Sequence, residues 1–208
     1  VRYLSPCVDK PALGIADGDL IAELPISDSH IGTLLLLDNS ALKRISSAST
    51  VTHNLENVSL LSPVARPGKI LAMAANYHPH EENLDINTDV ETPRVFIKPT
   101  TALLGPDDEI PYHSITGDLV EEIELGVVIG RPGKDIRVED AFDHIFGYTI
   151  INDVSARSLR FSSERANDPA THWFDWLNGK WLDGHCPVGP WIVPRRAVRP
   201  LGSAIPVQ

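Results

Sequence analysis

Val120-Glu121-Glu122-Ile123-Glu124-Leu125-Gly126-Val127-Val128-Ile129-Gly130 is the stretch whose reading decides the fold. Apolar residues crowd it and a glycine closes it, the pattern of a buried strand, yet it carries two carboxylates two residues apart. Side chains alternate along a strand, so Glu122 and Glu124 leave from one face while Glu121 and Ile123 leave from the other. Desolvation and mutual repulsion both resist burying two like charges side by side, and a divalent cation between them is the simplest remedy. The plain alternative is an edge strand whose polar face meets water. A second apolar run, Gly147-Tyr148-Thr149-Ile150-Ile151-Asn152-Asp153, ends in a carboxylate that brings a third oxygen ligand within reach. Three carboxylates suit a hard ion such as Mg2+, Mn2+ or Ca2+, whereas zinc would want His or Cys nearby.

The rest of the chain sets bounds. Its 208 residues fit one large domain, or a main domain with a small appendage, and 42% hydrophobic residues suffice to bury a core. A formal net charge of -10 and a pI near 5.2 argue against a nucleic-acid partner, since no basic stripe is present to neutralise phosphates. Cys7 and Cys186 stand far apart, with no disulfide framework and no zinc spacing, so a reducing, cytoplasmic setting is expected. Apolar runs such as Leu34 to Leu37 fall far short of the ~20 residues of a membrane-spanning helix, so no membrane is expected as a partner. The first residues carry no signal-peptide pattern.

Residues 1–65 are expected to form a small N-terminal domain, mostly β, in which Asp17-Gly18 marks a turn between two short apolar runs. Ile31 to Ile45 shows weak helical periodicity, Ser46 to Thr52 reads as a loop, and Leu61 to Gly68 reads as a linker. The main domain then covers 66–208. Lys69 to Ala75 and Pro93 to Pro99 read as strands, with Lys98 at the end of the second. Between them, Asn76-Tyr77-His78-Pro79-His80-Glu81-Glu82-Asn83 is a polar segment where proton transfer can occur, or a solvated loop with incidental histidines. Val138 to Ile145 is the best helix candidate, with acids early and His144 late. Arg157 and Arg160 present guanidinium groups beside the acidic strands, and arginine forks match carboxylates. Residues 161–179 read as a polar, tryptophan-bearing loop, in which Trp173 and Trp176 are expected to serve packing more than a sugar platform. A last strand is expected after the glycines and prolines of Lys180 to Val193.

Four stretches, Lys69 to Tyr77, Val95 to Pro99, Glu122 to Gly130 with Gly147 to Arg157, and Lys180 to Val193, follow in an order and spacing that resembles the fumarylacetoacetate hydrolase family, in its 2-hydroxyhepta-2,4-diene-1,7-dioate isomerase and acylpyruvase-like branch. The likeness runs from about residue 60 to 193, and residues 1–60 resemble that family's variable N-terminal domain more loosely. It implies a mainly β fold with a few short helices, a mixed β-roll carrying a small N-terminal α+β domain, usually as a homodimer. It implies Mg2+ or Mn2+ held by Glu122, Glu124 and Asp153, with Ca2+ able to stand in. The implied activity is that of a metal-dependent hydrolase, isomerase or lyase on a small anionic 2-oxo or 2-hydroxy-dienoic acid. Such an enzyme cuts a carbon-carbon bond or isomerises the substrate through a metal-stabilised enolate.

By the same resemblance, Tyr77, Arg157 and Arg160 occupy substrate-binding positions. Lys98 and Lys180 match positions that contact substrate or stabilise charge, and His80 matches the histidine of a His-Glu pair that deprotonates water in hydrolytic members. The chain departs from the pattern in three places. Asn83 stands where the glutamate of that pair belongs, leaving Glu82 or Glu81 as the nearest substitute. Arg160 stands where hydrolytic relatives often have glutamine. The sequence closes at Gln208, ahead of further strands and a Gly-Thr-Pro turn, so the C-terminal part of the fold is expected to be missing. Other readings on the same residues are a sugar-acid dehydratase, an oxaloacetate-type decarboxylase, a non-catalytic metal-binding dimer scaffold, and a carbohydrate-binding β module using Trp173 and Trp176.

Overall fold

A computed structural model of the chain describes residues 1–5, 8–28, 39–49, 51–77, 93–161 and 166–198. His78, His80, Glu81, Glu82 and Asn83 lie outside the described residues, so the candidate water-activating pair has no structural account here.

The first sheet is built from β1 (Arg2–Ser5), β2 (Val8–Asp17), β3 (Leu20–Ser27), β4 (Thr52–Asn54) and β5 (Ser59–Leu61), in the order β4-β3-β2-β1-β5. The Asp17-Gly18 signal makes the β2–β3 hairpin: Asp17 pairs with Leu20, and Gly18 takes a positive φ of 57° that the tight turn requires. Tyr3, Leu13, Ile21 and Leu24 are buried against this sheet. Helix α1 (Asn39–Ser47) ends what the sequence reads as weak periodicity and runs into the expected loop. Residues 62–69 have no strand or helix.

The remaining strands are β6 (Ile70–Ala74), β7 (Arg94–Lys98), β8 (Leu103–Leu104), β9 (Leu119–Val120), β10 (Ile123–Ile129), β11 (Ile145–Asn152), β12 (Ser155–Ala156) and β13 (Cys186–Pro194). They form a four-stranded sheet of order β10-β11-β13-β8 and two ribbons, β6-β7 and β9-β12. Among these pairings β13-β8 is parallel and the others antiparallel. Ala102, Cys186 and Val188 make a small core joined by Ile70, Leu103 and Ile151.

Three sequence expectations are corrected. Val138–His144 is a 3-10 helix, not an α-helix, with no side-chain cap at its start. Part of the segment expected as a tryptophan-bearing loop is helix α2 (Pro169–Lys180), started by Asp168, whose side chain accepts from the Thr171 amide, and by Pro169 in the first turn. The third concerns β10, expected to be buried. Its even positions turn inward as alternation demands, but Ile123, Leu125, Val127 and Ile129 are exposed, Ile123 by 66%. Among the described residues no helix is long and apolar enough to cross a membrane.

Candidate active site

Antiparallel register places the acids. Ile123 pairs with Asn152, and the ladder continues one step further through the Asp153 amide, which donates to the Glu122 carbonyl at 2.7 Å. Glu122 and Asp153 are therefore direct cross-strand neighbours at one end of β10 and β11. Like charges so placed repel unless a cation joins them. The Asn152 side-chain oxygen accepts from the Glu122 amide at 3.1 Å and fixes this corner. Glu124, two residues along, shares the face of Glu122. Gly126 follows on that face, where an added Cβ would lie 2.7 Å from the Ile151 side chain and 2.9 Å from that of Thr149.

Two buried lysines close the site. Lys98, at the end of β7 and 2% exposed, donates to Asp153 Oδ1 at 2.5 Å and to the Val154 carbonyl at 3.3 Å. Lys180, the last residue of α2 and also 2% exposed, bridges Glu122 Oε2 at 2.7 Å and Asp153 Oδ2 at 2.8 Å. Arg157, just past β12, donates to the other Glu122 oxygen at 2.6 Å and is half exposed. Every oxygen of Glu122 and Asp153 thus has a cationic partner. Glu124 is held differently: the Tyr77 hydroxyl donates to its carboxylate and accepts from the Leu125 amide at 3.0 Å. Burial, followed by the charges of Asp153 and Glu122, raises the Glu124 carboxyl above its ordinary range, against the pull of Tyr77 and Lys180. Tyr77 lies two residues beyond Ala75, a non-glycine residue with a positive φ of 54° at the exit of β6.

The structure therefore brings Lys98, Glu122, Glu124, Asp153, Arg157, Lys180 and Tyr77 into one network. Arg160 goes elsewhere: its guanidinium lies over the Tyr112 ring at 6.0 Å and donates to the Tyr112 hydroxyl at 3.3 Å. That contact belongs to a seam in which residues 112–118 are tied to Ser158 and its neighbours.

Three further residues shape this site: Phe96 and Gly179, which sequence reading passes over, and Trp176, which it assigns to packing. Phe96, two residues before Lys98 on β7, and Trp176, four before Lys180 on α2, meet edge to face with centroids 5.1 Å apart. Both rings lie under the Lys180 ammonium, at 5.4 Å and 5.8 Å. The spacings are the same-face periods of a strand and a helix, a signal available in the sequence. The third is Gly179: a Cβ there would sit 2.2 Å from the Ala156 carbonyl, so α2 reaches β12 only because that position is bare.

The donor set is all oxygen and suits a hard divalent cation. In the present arrangement no three acidic, His or Cys side chains among the described residues converge as a ready cage. The reason is visible: Lys180 spaces Glu122 from Asp153, and Tyr77 holds Glu124. The residues fit Mg2+ or Mn2+ in type, charge and common face, provided that the ammonium gives way.

The chain belongs to the fumarylacetoacetate (FAA) hydrolase C-terminal family, whose model matches residues 69–207. It is 32% identical to the oxaloacetate tautomerase fahd2, mitochondrial, of Xenopus laevis, over 95% of this chain and 62% of that protein. It is 33% identical to the oxaloacetate tautomerase YisK of Bacillus subtilis, over 88% of this chain and 58% of that protein. The chain thus spans about three-fifths of these curated relatives. Among solved structures, maleylpyruvate hydrolase from Sphingobium sp. SYK-6 in complex with manganese (II) ion and pyruvate matches with a TM-score of 0.69 at 28% identity, over 95% of this chain and 69% of that one. The 2-hydroxyhepta-2,4-diene-1,7-dioate isomerase from Mycobacterium marinum matches at 0.66 and 31%, over 96% and 66%. A mainly β family fold with short helices, and relatives that are isomerases, hydrolases and tautomerases, follow directly.

Proposed function

We propose that the protein enolises a small 2-oxo dicarboxylic acid with a divalent cation at Glu122, Glu124 and Asp153, as a tautomerase or double-bond isomerase. The observation that carries this is the meeting of Glu122 and Asp153 at one corner around a buried positive charge, the Lys180 ammonium at 2.7 Å and 2.8 Å, with Glu124 on the same face as Glu122. Charge bookkeeping supports it. Three carboxylates already face three cationic side chains, Lys98, Lys180 and Arg157. A dication adds two positive charges, and a substrate with two negative charges restores balance; buried charge is tolerated only when so matched. Arg157 is half exposed and reaches the site from the solvent side, where a guanidinium fork can take a carboxylate.

A cation at these acids would supply Lewis-acid stabilisation of an enolate oxygen. The chain's own residues do the rest. Lys98 and Arg157 hold the acids and the incoming anion, and Lys180 or the Tyr77 hydroxyl holds the proton that moves between carbon and oxygen. The names of the tautomerase and isomerase relatives are consistent with this chemistry. Hydrolysis of a carbon-carbon bond is the second reading, favoured by the maleylpyruvate hydrolase likeness, with His80 and Glu82 as the pair that would activate water. Incubation with Mg2+ and either enol-form oxaloacetate or an acylpyruvate separates them: accelerated loss of enol absorbance supports the first, and pyruvate release the second. Turnover of neither rejects both.

A homodimer in the cytoplasm completes the proposal. The exposed row Ile123, Leu125, Val127 and Ile129, with Ile150 beside it, is the apolar face that a second copy would cover. Light scattering tests it, and a monomer at micromolar concentration would reject it.

A further inference from the structure

The aromatic pair under Lys180 plays no part in binding the acids, yet it is built with care. Trp176 and Lys180 are four residues apart on α2 and share a helix face. Phe96 and Lys98 are two apart on β7 and share a strand face. The two elements bring the rings together at 5.1 Å and 69°, and the Lys180 ammonium lies within 6 Å of both centroids. An ammonium has three donors. Two reach Glu122 Oε2 and Asp153 Oδ2, and the remaining side of the group faces the rings, whose π clouds attract a desolvated cation.

We propose that Phe96 and Trp176 are positioning residues that hold the Lys180 ammonium as a built-in competitor of the divalent cation, an inference that rests on the metal reading given above. A hard dication held by both Glu122 and Asp153 would need carboxylate oxygens of both, and so the space that the ammonium now bridges. Both cannot occupy it. Loading therefore pushes Lys180 off the two carboxylates, and the rings set how hard that push must be. The device keeps two adjacent carboxylates, Asp153 buried and Glu122 half-buried, neutralised before loading, and it frees an ammonium beside the substrate only once the cation has arrived.

The consequence runs against ordinary expectation for substitutions in a site: loosening the lysine tightens the metal. Mn2+ is titrated by calorimetry into the wild type, Lys180→Met, Trp176→Leu and Trp176→Phe, with folding checked by circular dichroism. Lys180→Met keeps the volume and removes the charge, and is expected to bind Mn2+ at least tenfold more tightly. Trp176→Leu removes a π face and is expected to tighten binding by about threefold to tenfold, while Trp176→Phe restores a ring and stays within about twofold of wild type. Should Lys180→Met fail to fold, the two Trp176 variants decide. Unchanged or weaker Mn2+ binding in Trp176→Leu or in a folded Lys180→Met overturns the competitor role and leaves the metal site standing. No Mn2+ binding by any of the four proteins overturns the metal reading and this inference together.

Discussion

Replacing Gly179 by alanine sets two rules of protein stability against each other. In a helix, alanine is favoured over glycine by about 1 kcal/mol, so propensity alone predicts a more stable protein. The structure predicts the reverse. The new Cβ would stand 2.2 Å from the Ala156 carbonyl oxygen, where real Cβ contacts essentially never fall below 3.0 Å, and the opposing atom is backbone that cannot rotate away. The end of α2 must retreat by about 1 Å, an overpacking cost of about 2–3 kcal/mol, which leaves a net loss of about 1–2 kcal/mol. For a chain of this size that lowers the melting temperature by about 2–8 °C. Because Lys180 is the next residue, the same retreat lengthens its 2.7 Å and 2.8 Å contacts to Glu122 and Asp153. Urea denaturation of wild type and Gly179→Ala, with thermal scans, measures the effect. A variant as stable as the wild type would refute the claim that this contact positions the helix.

Lys98→Met should cost about 2–3 kcal/mol in urea unfolding, because it leaves Oδ1 of the buried Asp153 carboxylate without its 2.5 Å partner while Lys180 still holds Oδ2; a loss below about 1 kcal/mol would contradict it. Burial, with smaller contributions from His113 and Lys98, lowers His185 below its ordinary value of 6.5, while its ring donates from Nε2 to the Pro111 carbonyl and its Nδ1 has no hydrogen-bond partner among the described residues. The unfolded imidazole takes a proton near that value and the folded one resists, so the folded state loses stability as pH falls below about 6.5. His185→Phe should lose less stability than wild type between pH 7.5 and 5.5, and an equal loss would reject the assignment. The Cys186 thiol, fully buried and pushed up to about 11, should resist iodoacetamide at neutral pH until the protein is unfolded, as read by mass spectrometry of its peptide.

Much of the site was legible in the sequence because strand alternation is a rigid rule. Glu122 and Glu124 on one face, and Asp153 at the tip of the neighbouring strand, need only the period of two and an antiparallel turn between them. The lysines were legible by resemblance. What escaped was whatever depends on packing between distant segments. Asp168-Pro169 is a helix-start signal that the reading of 161–179 as a loop misses, but nothing there shows that the helix carries Trp176 under Phe96, since neither partner is near the other in sequence. β10 looks buried because its residues are apolar on both faces; apolarity reports that a face seeks a partner, and the described residues leave the odd face uncovered. Arg160 matches a substrate position in the chain, but its nearest partner in space is Tyr112.

Enolisation at this site requires a divalent cation at the three acids. Thermal unfolding with and without saturating Mg2+, in wild type and Glu122→Gln, tests that most directly. At a concentration one hundred times Kd, binding to the folded state alone adds about 2.7 kcal/mol. In a chain of this size that corresponds to a rise of about 5–10 °C in Tm, which Glu122→Gln should abolish. The same Tm with and without Mg2+ in the wild type, or an equal rise in Glu122→Gln, would contradict it.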